Sequence, residues 1–214
     1  MYLIDETYLT RELSTPNTES GVDIDSSGNS ITEYIDKYAR LLLQNALGNV
    51  LFATLDGEIE DGNLKEEAPQ KWKDLVDGTQ YDYSGETYTW KGLRTIEGAF
   101  KESVLAYYVY YHYFLNNLSQ VSSFGEVKAS SVNSENVNPS AKLVATWNKY
   151  VKLYQGDRNR VEGNLTFVNG VPFYDYYSGN GGYVDLIQFL EHKESDYLDA
   201  AKKMERGYLN LLGV

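Results

Sequence analysis

Two histidines, His112 and His192, are the only imidazoles in the chain, and no cysteine accompanies them. Metal centres draw on His or Cys clustered at helix or turn spacing. Neither histidine has such a neighbour pattern, so His112, set in an aromatic segment, reads as a hydrogen-bonded packing residue. Without Cys there is no disulfide framework, no thiolate nucleophile and no Cys-based zinc site. The run Asp56-Gly57-Glu58-Ile59-Glu60-Asp61-Gly62-Asn63 spaces its acids in the manner of a calcium loop. That loop requires glycine at its sixth position, and counting from Asp56 the place is held by Asp61. Glu67 falls at the twelfth position, yet the misplaced glycine makes the run a solvated acidic turn. Gly179-Asn180-Gly181-Gly182 lacks both the GxGxxG spacing and the following Lys-Ser or Lys-Thr of a phosphate loop, and reads as a hinge or tight turn. Acids are abundant enough that some carboxylate pair of the kind glycoside hydrolysis uses must lie close together, but no single acid is marked out. The residues assign no catalytic group, no cofactor-binding group and no metal ligand, and the chain reads as a non-enzyme.

The composition points to surfaces instead. Over 214 residues there are 20 Tyr against 7 Phe, an excess that suits half-buried surfaces and interfaces, because Tyr gives large contact area with a water-tolerant tip. A net charge of −12 is wrong for holding a phosphate backbone, which needs clustered Lys and Arg. The opening MYLIDETYL carries Asp5 and Glu6 and has no basic stretch, unlike a signal peptide. No apolar run nears the roughly 20 residues that cross a bilayer, so the expectation is a soluble chain made inside the cell.

The elements follow from periodicity. Residues 1–30 are expected as an N-terminal arm, its part from 14 onward rich in Ser, Thr, Asn and Gly with little apolar content to pin it. Ser30-Ile31-Thr32-Glu33 has capping-box spacing. From there Ile31, Tyr34, Ile35, Tyr38, Leu41, Leu42 and Ala46 trace one apolar helical stripe, ending at Gly48 with a short continuation over 49–55. Pro69 is placed to open a short helix carrying Trp72, Leu75 and Val76, closed by Gly78. Tyr81 to Tyr83 and Thr87 to Trp90 alternate around Ser84-Gly85-Glu86 as a β-hairpin. A long helix is expected over roughly 95–119, then a polar loop over 120–138. Asn138-Pro139 opens a helix with Leu143, Val144, Trp147, Val151 and Tyr154. Phe167-Val168-Asn169-Gly170-Val171 signals a second hairpin, and a last helix is expected over about 184–206. The expected fold class is mainly α: one domain over 1–214, a helical bundle with one or two small β-hairpins and long loops.

The segment VLAYYVYYHYFL, residues 104–115, is apolar around its whole circumference when wound as a helix. Tyr107, Tyr110 and Phe114 share one face, and Val104, Tyr108, Tyr111 and Leu115 another. Such a helix must be buried all round, at the centre of a bundle or between its own core and a partner.

Three stretches carry a family resemblance: IDKYARLLLQNALG (35–48), KDLVDGTQYDYSGETYTWKGL (73–93) and YYVYYHYFLNNLSQVSSFGEVKASSVNSENVNPSAKLVATWNKYV (107–151). Together they cover 80 of the 214 residues, and they resemble the small head–tail connector, or adaptor, proteins of tailed bacteriophages, especially those of Bacteroides-type gut phages and prophages. The resemblance implies a structural virion protein without catalysis or cofactor, made in the bacterial cytoplasm and ending at the head–tail junction. It implies a homo-oligomeric, dodecameric ring between the portal protein and the tail or stopper proteins, with DNA passing through the channel without sequence-specific binding and no membrane involved. The expected subunit or partner interface comprises Tyr107, Tyr108, Tyr111, Phe124, Glu126, Val127 and Lys128. The competing expectation is a Tyr-rich carbohydrate- or protein-binding module without catalysis.

Overall fold

The apolar stripe that begins at Ile31 folds as helix α1, Ile31–Gly57, interrupted at Gly48, where the backbone leaves helical values (φ 74°, ψ 163°). The computed structural model describes residues 2–14, 31–98, 100–117, 120–122, 125–127, 140–156, 167–168, 171–172, 183–198 and 200. Ser30 of the expected capping box, the Asn138-Pro139 helix start and the Gly179–Gly182 turn lie outside the described residues. After α1 the chain turns through a hairpin, β1 (Ile59–Glu60) and β2 (Asn63–Leu64), with Asp61 and Gly62 both at positive φ in the two-residue corner. Helix α2, Gln70–Asp77, follows Pro69 directly and buries Trp72, Leu75 and Val76, as its pattern predicts. Strands β3 (Thr79–Tyr83) and β4 (Glu86–Trp90) then pair in the expected hairpin, turning at Ser84-Gly85.

The long helix expected over 95–119 is corrected. Its first part is another hairpin, β5 (Arg94–Glu97) with β6 (Phe100–Ser103), and helix α3 spans only Val104–Asn117. Ser103 is the reason for the boundary: its hydroxyl accepts from the backbone N–H of Leu105 at 3.1 Å while donating to the Leu93 carbonyl at 2.6 Å. A Ser at that place is a helix start inside what periodicity alone ran together. The 120–138 stretch, expected as a loop, contains the hairpin β7 (Gln120–Ser122) and β8 (Gly125–Val127). Helix α4, Ser140–Gln155, carries the Trp147 and Tyr154 pattern, and β9 (Phe167–Val168) pairs with β10 (Val171–Pro172) around Asn-Gly as that dipeptide predicts. The final expected helix is shorter than read: Tyr183–Val184 is strand β11, and α5 runs only Leu186–His192, capped by Asp185, which accepts from Gln188 N at 2.8 Å.

These strands overturn the mainly-α helical bundle as a fold class; the fold is mixed α/β. Hairpins recur between the helices, and β11 joins the outer side of β4 in parallel to make a three-stranded mixed sheet in the order β11-β4-β3. Strands of two to four residues are too short to print a period of their own, which is why the helical pattern runs over them. Helices α1, α3, α4 and α5 form one layer in which α3 packs against both α1 and α4, and α4 against α5. One continuous core joins this layer to the sheet through Trp72, Trp90, Leu93 and Phe189.

The arm expected over 1–30 is seated over its first half. Tyr2, Leu3, Ile4, Tyr8, Leu9 and Leu13 are buried in the same core, and the segment carries two 3₁₀ turns, Glu6–Tyr8 and Arg11–Leu13. Residues 15–30 lie outside the described residues.

Candidate functional site: two histidine–tyrosine clusters

Strand alternation puts Thr79, Tyr81 and Tyr83 of β3 on the same face as Glu86, Tyr88 and Trp90 of β4, since Tyr81 pairs with Tyr88 and Tyr83 with Glu86. Helix α5 covers that face. Phe189 stacks on Trp90 at 5.5 Å and meets Tyr81 edge-on at 5.7 Å. His192, in the last turn of α5, lies flat on Tyr83 with 3.9 Å between centroids, and edge-on to Tyr88 at 4.7 Å. Its Nδ1 is 3.0 Å from the Tyr81 hydroxyl. Burial first, then neighbouring Tyr88 and Asp185, push Tyr81 well above the ordinary phenol range, so this hydroxyl keeps its proton. Tyr88 donates to Glu86 Oε2 at 3.0 Å. The tip of the cluster is open: Tyr83 is 41% exposed.

The second cluster lies between α1 and α3. The His112 ring stacks on Tyr38 at 4.3 Å and 7° from parallel, and meets Tyr108 edge-on at 4.4 Å. Burial, and secondarily the Lys37 ammonium, lower its pKa to about 4, so at neutral pH the ring is uncharged. Stacking holds this ring, and its buried Nε2 has no hydrogen-bond partner among the described residues. Asn116 Nδ2 donates to the Tyr38 hydroxyl at 3.2 Å, tying the last turn of α3 to α1.

The acidic run from Asp56 folds as the end of α1 and the β1–β2 hairpin. Asp56 pairs with Arg40, which also reaches Asp36 at 3.4 Å and covers the Tyr2 ring at 4.2 Å. Among the described residues no group of three or more His, Asp or Glu is placed to hold a metal ion. What both clusters offer chemically is aromatic face, protonated phenol and imidazole, which is contact surface.

The expected interface residues divide. Tyr107 is 5% exposed and its hydroxyl hydrogen-bonds Glu12 of the chain's own N-terminal segment. Tyr108 packs on Tyr150 at 5.0 Å and Tyr111 on Trp147 at 4.8 Å, both across the α3–α4 contact. Tyr107 thus belongs to the chain's own core, Tyr108 and Tyr111 are half-buried, and the exposed part of α3 is its C-terminal end, where Leu115 is 45% exposed. Glu126 and Val127 lie on β8, whereas Phe124 and Lys128 are outside the described residues. Sequence reading missed the Tyr81–Tyr83–Tyr88–His192 group. Its signal was the alternation of tyrosines in the hairpin, but the partner histidine lies far along the chain and only the parallel β11 strand brings α5 over that face.

Comparison with known proteins gives no match: no family model matches the chain, and neither a curated protein nor a solved structure does. Among the described residues no helix is long and apolar enough to cross a membrane.

Proposed function

We propose that this chain is a structural subunit of a bacteriophage head–tail junction, an adaptor that assembles as a homo-oligomeric ring between the portal and the tail components. One observation carries the reading: the three connector-like sequence stretches fall on elements that build one unit. The first covers α1 as far as its break at Gly48, the second covers α2, β3 and β4, and the third runs from α3 through β7–β8 into α4. Helix α3 packs against α1 and α4, so the first and third stretches form a common helical layer.

Surface chemistry supports the same reading. Hairpins β7–β8 and β9–β10 each form a separate two-stranded sheet. A two-stranded hairpin is marginal in water by itself, so each gains from a surface to lie on, and a neighbouring subunit offers one. A charge of −12 per copy, repeated around a ring, gives a particle that DNA slides past rather than adheres to. The test is the solution mass of the purified chain, alone and co-produced with a portal protein, by light scattering. A closed multimer, alone or on the portal, is expected; a monomer under both conditions contradicts the proposal.

A second reading, a Tyr-rich binding module, is favoured by the open Tyr83 face backed by His192 and bordered by Glu86. It predicts that Tyr83→Ala abolishes retention on a glycan or peptide ligand while leaving the solution mass unchanged.

A further inference from the structure

We propose that residues 2–14 are an exchangeable strap which, in an assembly of copies, docks into the groove of the neighbouring copy; this rests on the ring reading above. The strap behaves as a ligand of the rest of the fold. Its backbone is held from outside: Leu3 N–H donates to the Gly62 carbonyl at 2.8 Å, and Arg94 Nη1 donates to the Leu3 carbonyl at 3.3 Å. Its side chains are anchored one by one. Asp5 lies 3.9 Å from the Lys101 ammonium, Thr7 accepts from the same group, and Glu12 accepts from the buried Tyr107 hydroxyl. Lys142 of α4 donates to the Ser14 carbonyl at 3.4 Å. Leu3 (φ 60°) and Arg11 (φ 56°) sit in the left-handed region, which bulky side chains disfavour, so the groove and not local preference sets this conformation.

The geometry of the two ends leaves the choice of groove open to the assembly. Ser14 ends beside Lys142, whose ammonium also lies 5.9 Å from the Phe114 ring. Tyr34, in the first turn of α1, packs edge-on against Tyr113 at 5.2 Å. Both ends of the 15–30 stretch therefore come to the C-terminal half of α3. The sequence places a 16-residue Ser-, Asn- and Gly-containing stretch, residues 15–30, between them. At about 3.5 Å per residue it reaches on the order of 50 Å. For a lone chain the high effective concentration keeps the strap in its own groove. In a closed ring a neighbour's groove within that reach competes on equal terms. Exchange there loses no contact and turns every strap into a tie between subunits.

Carbodiimide chemistry joins a carboxylate directly to an ammonium, and the native Asp5–Lys101 pair is placed for it. Full-length chain with ordinary nitrogen and chain with heavy nitrogen are mixed equally as monomers, assembled, cross-linked and digested for mass spectrometry. The expected result is that about half of the Asp5–Lys101 links join one light and one heavy peptide, the statistical share for exchange between copies. The Lys149–Glu102 pair, 3.0 Å apart within the folded body, should give links of a single isotope throughout. Single-isotope Asp5–Lys101 links inside assembled particles overturn the strap exchange and leave the ring standing. Mixed links in small oligomers, with no closed ring by particle mass, keep the exchange and overturn the ring. Single-isotope links in a sample that never assembles overturn both.

Discussion

The ring of His192 lies flat against that of Tyr83, 8° from parallel, and its Nδ1 meets the hydroxyl of Tyr81 two residues earlier on the same strand. One side chain from the last turn of α5 thus engages both tyrosines of β3 that point to the covered face. Replacing it tests what fastens the hairpin to the helical body. His192→Ala should lower stability by about 2 kcal/mol, combining lost ring contact with a lost hydrogen bond. His192→Phe, which keeps the stack, should recover more than half. Equilibrium urea unfolding checks both, and equal losses in the two variants would show that stacking contributes nothing.

The Tyr38–His112 pair makes a pH prediction. With the folded-state pKa lowered to about 4 by burial, the unfolded chain binds the proton more readily than the folded one between about 4 and the ordinary value near 6.5. Stability contributed by the neutral ring is complete above about 6.5 and is lost progressively as pH falls through that window. His112→Phe keeps the stack and removes the titration. The drop in melting temperature from pH 7 to pH 4.5 should therefore be smaller in His112→Phe than in the parent, measured by differential scanning fluorimetry.

Tyr107 and Glu12 join α3 to the N-terminal strap. Burial, followed by the Glu12 contact, raises the Tyr107 pKa, so the phenol donates and the carboxylate accepts. Tyr107→Phe removes a hydrogen bond to a charged partner and should cost about 1–3 kcal/mol. Hydrogen exchange should rise in residues 2–14 first, before it rises in α3.

Two backbone segments cross where only glycine fits. A Cβ on Gly78 (φ +90°) would stand 2.6 Å from the Trp90 carbonyl oxygen, and one on Gly92 (φ +93°) 2.6 Å from that of Val76. The neighbours are backbone and cannot swing away, so Gly78→Ala and Gly92→Ala should each cost upwards of about 3 kcal/mol, combining clash with a left-handed alanine. At Gly85, also at positive φ but with nothing within 4 Å, alanine should cost only about 1 kcal/mol. The soluble yields and urea midpoints of the three variants order the effects.

The sequence was legible where a signal is local and repeated. The Trp72-Leu75-Val76 triplet and the Ser84-Gly85 corner appear in the fold as their residue types require, and the stripe from Ile31 is buried at Ile31, Ile35, Leu42 and Ala46 while Leu41 stays exposed. It was illegible where the deciding contact is distant. Nothing near Arg94 to Ser103 says that four residues pair with four, and Ser103 reads as a cap only once Leu93 is seen to hold its hydroxyl. Nor does a segment as short as 2–14 announce burial, because its anchors, Gly62, Lys101 and Tyr107, come from three separate elements. The all-round apolar character of 104–115 goes with burial at Val104, Leu105, Ala106, Tyr107, Val109 and Tyr110, where α1 and α4 pack on the helix, but Leu115 at its far end is exposed. The candidate cluster at His192 combines both cases: its tyrosines alternate visibly, and its histidine arrives through tertiary structure alone.

The central claim, a ring subunit of the head–tail junction, is tested most directly by negative-stain microscopy of the chain co-produced with a portal protein. The account predicts closed rings stacked coaxially on the portal, with the chain's mass added in a fixed stoichiometry. Portal rings that remain bare beside free monomers of this chain would contradict it.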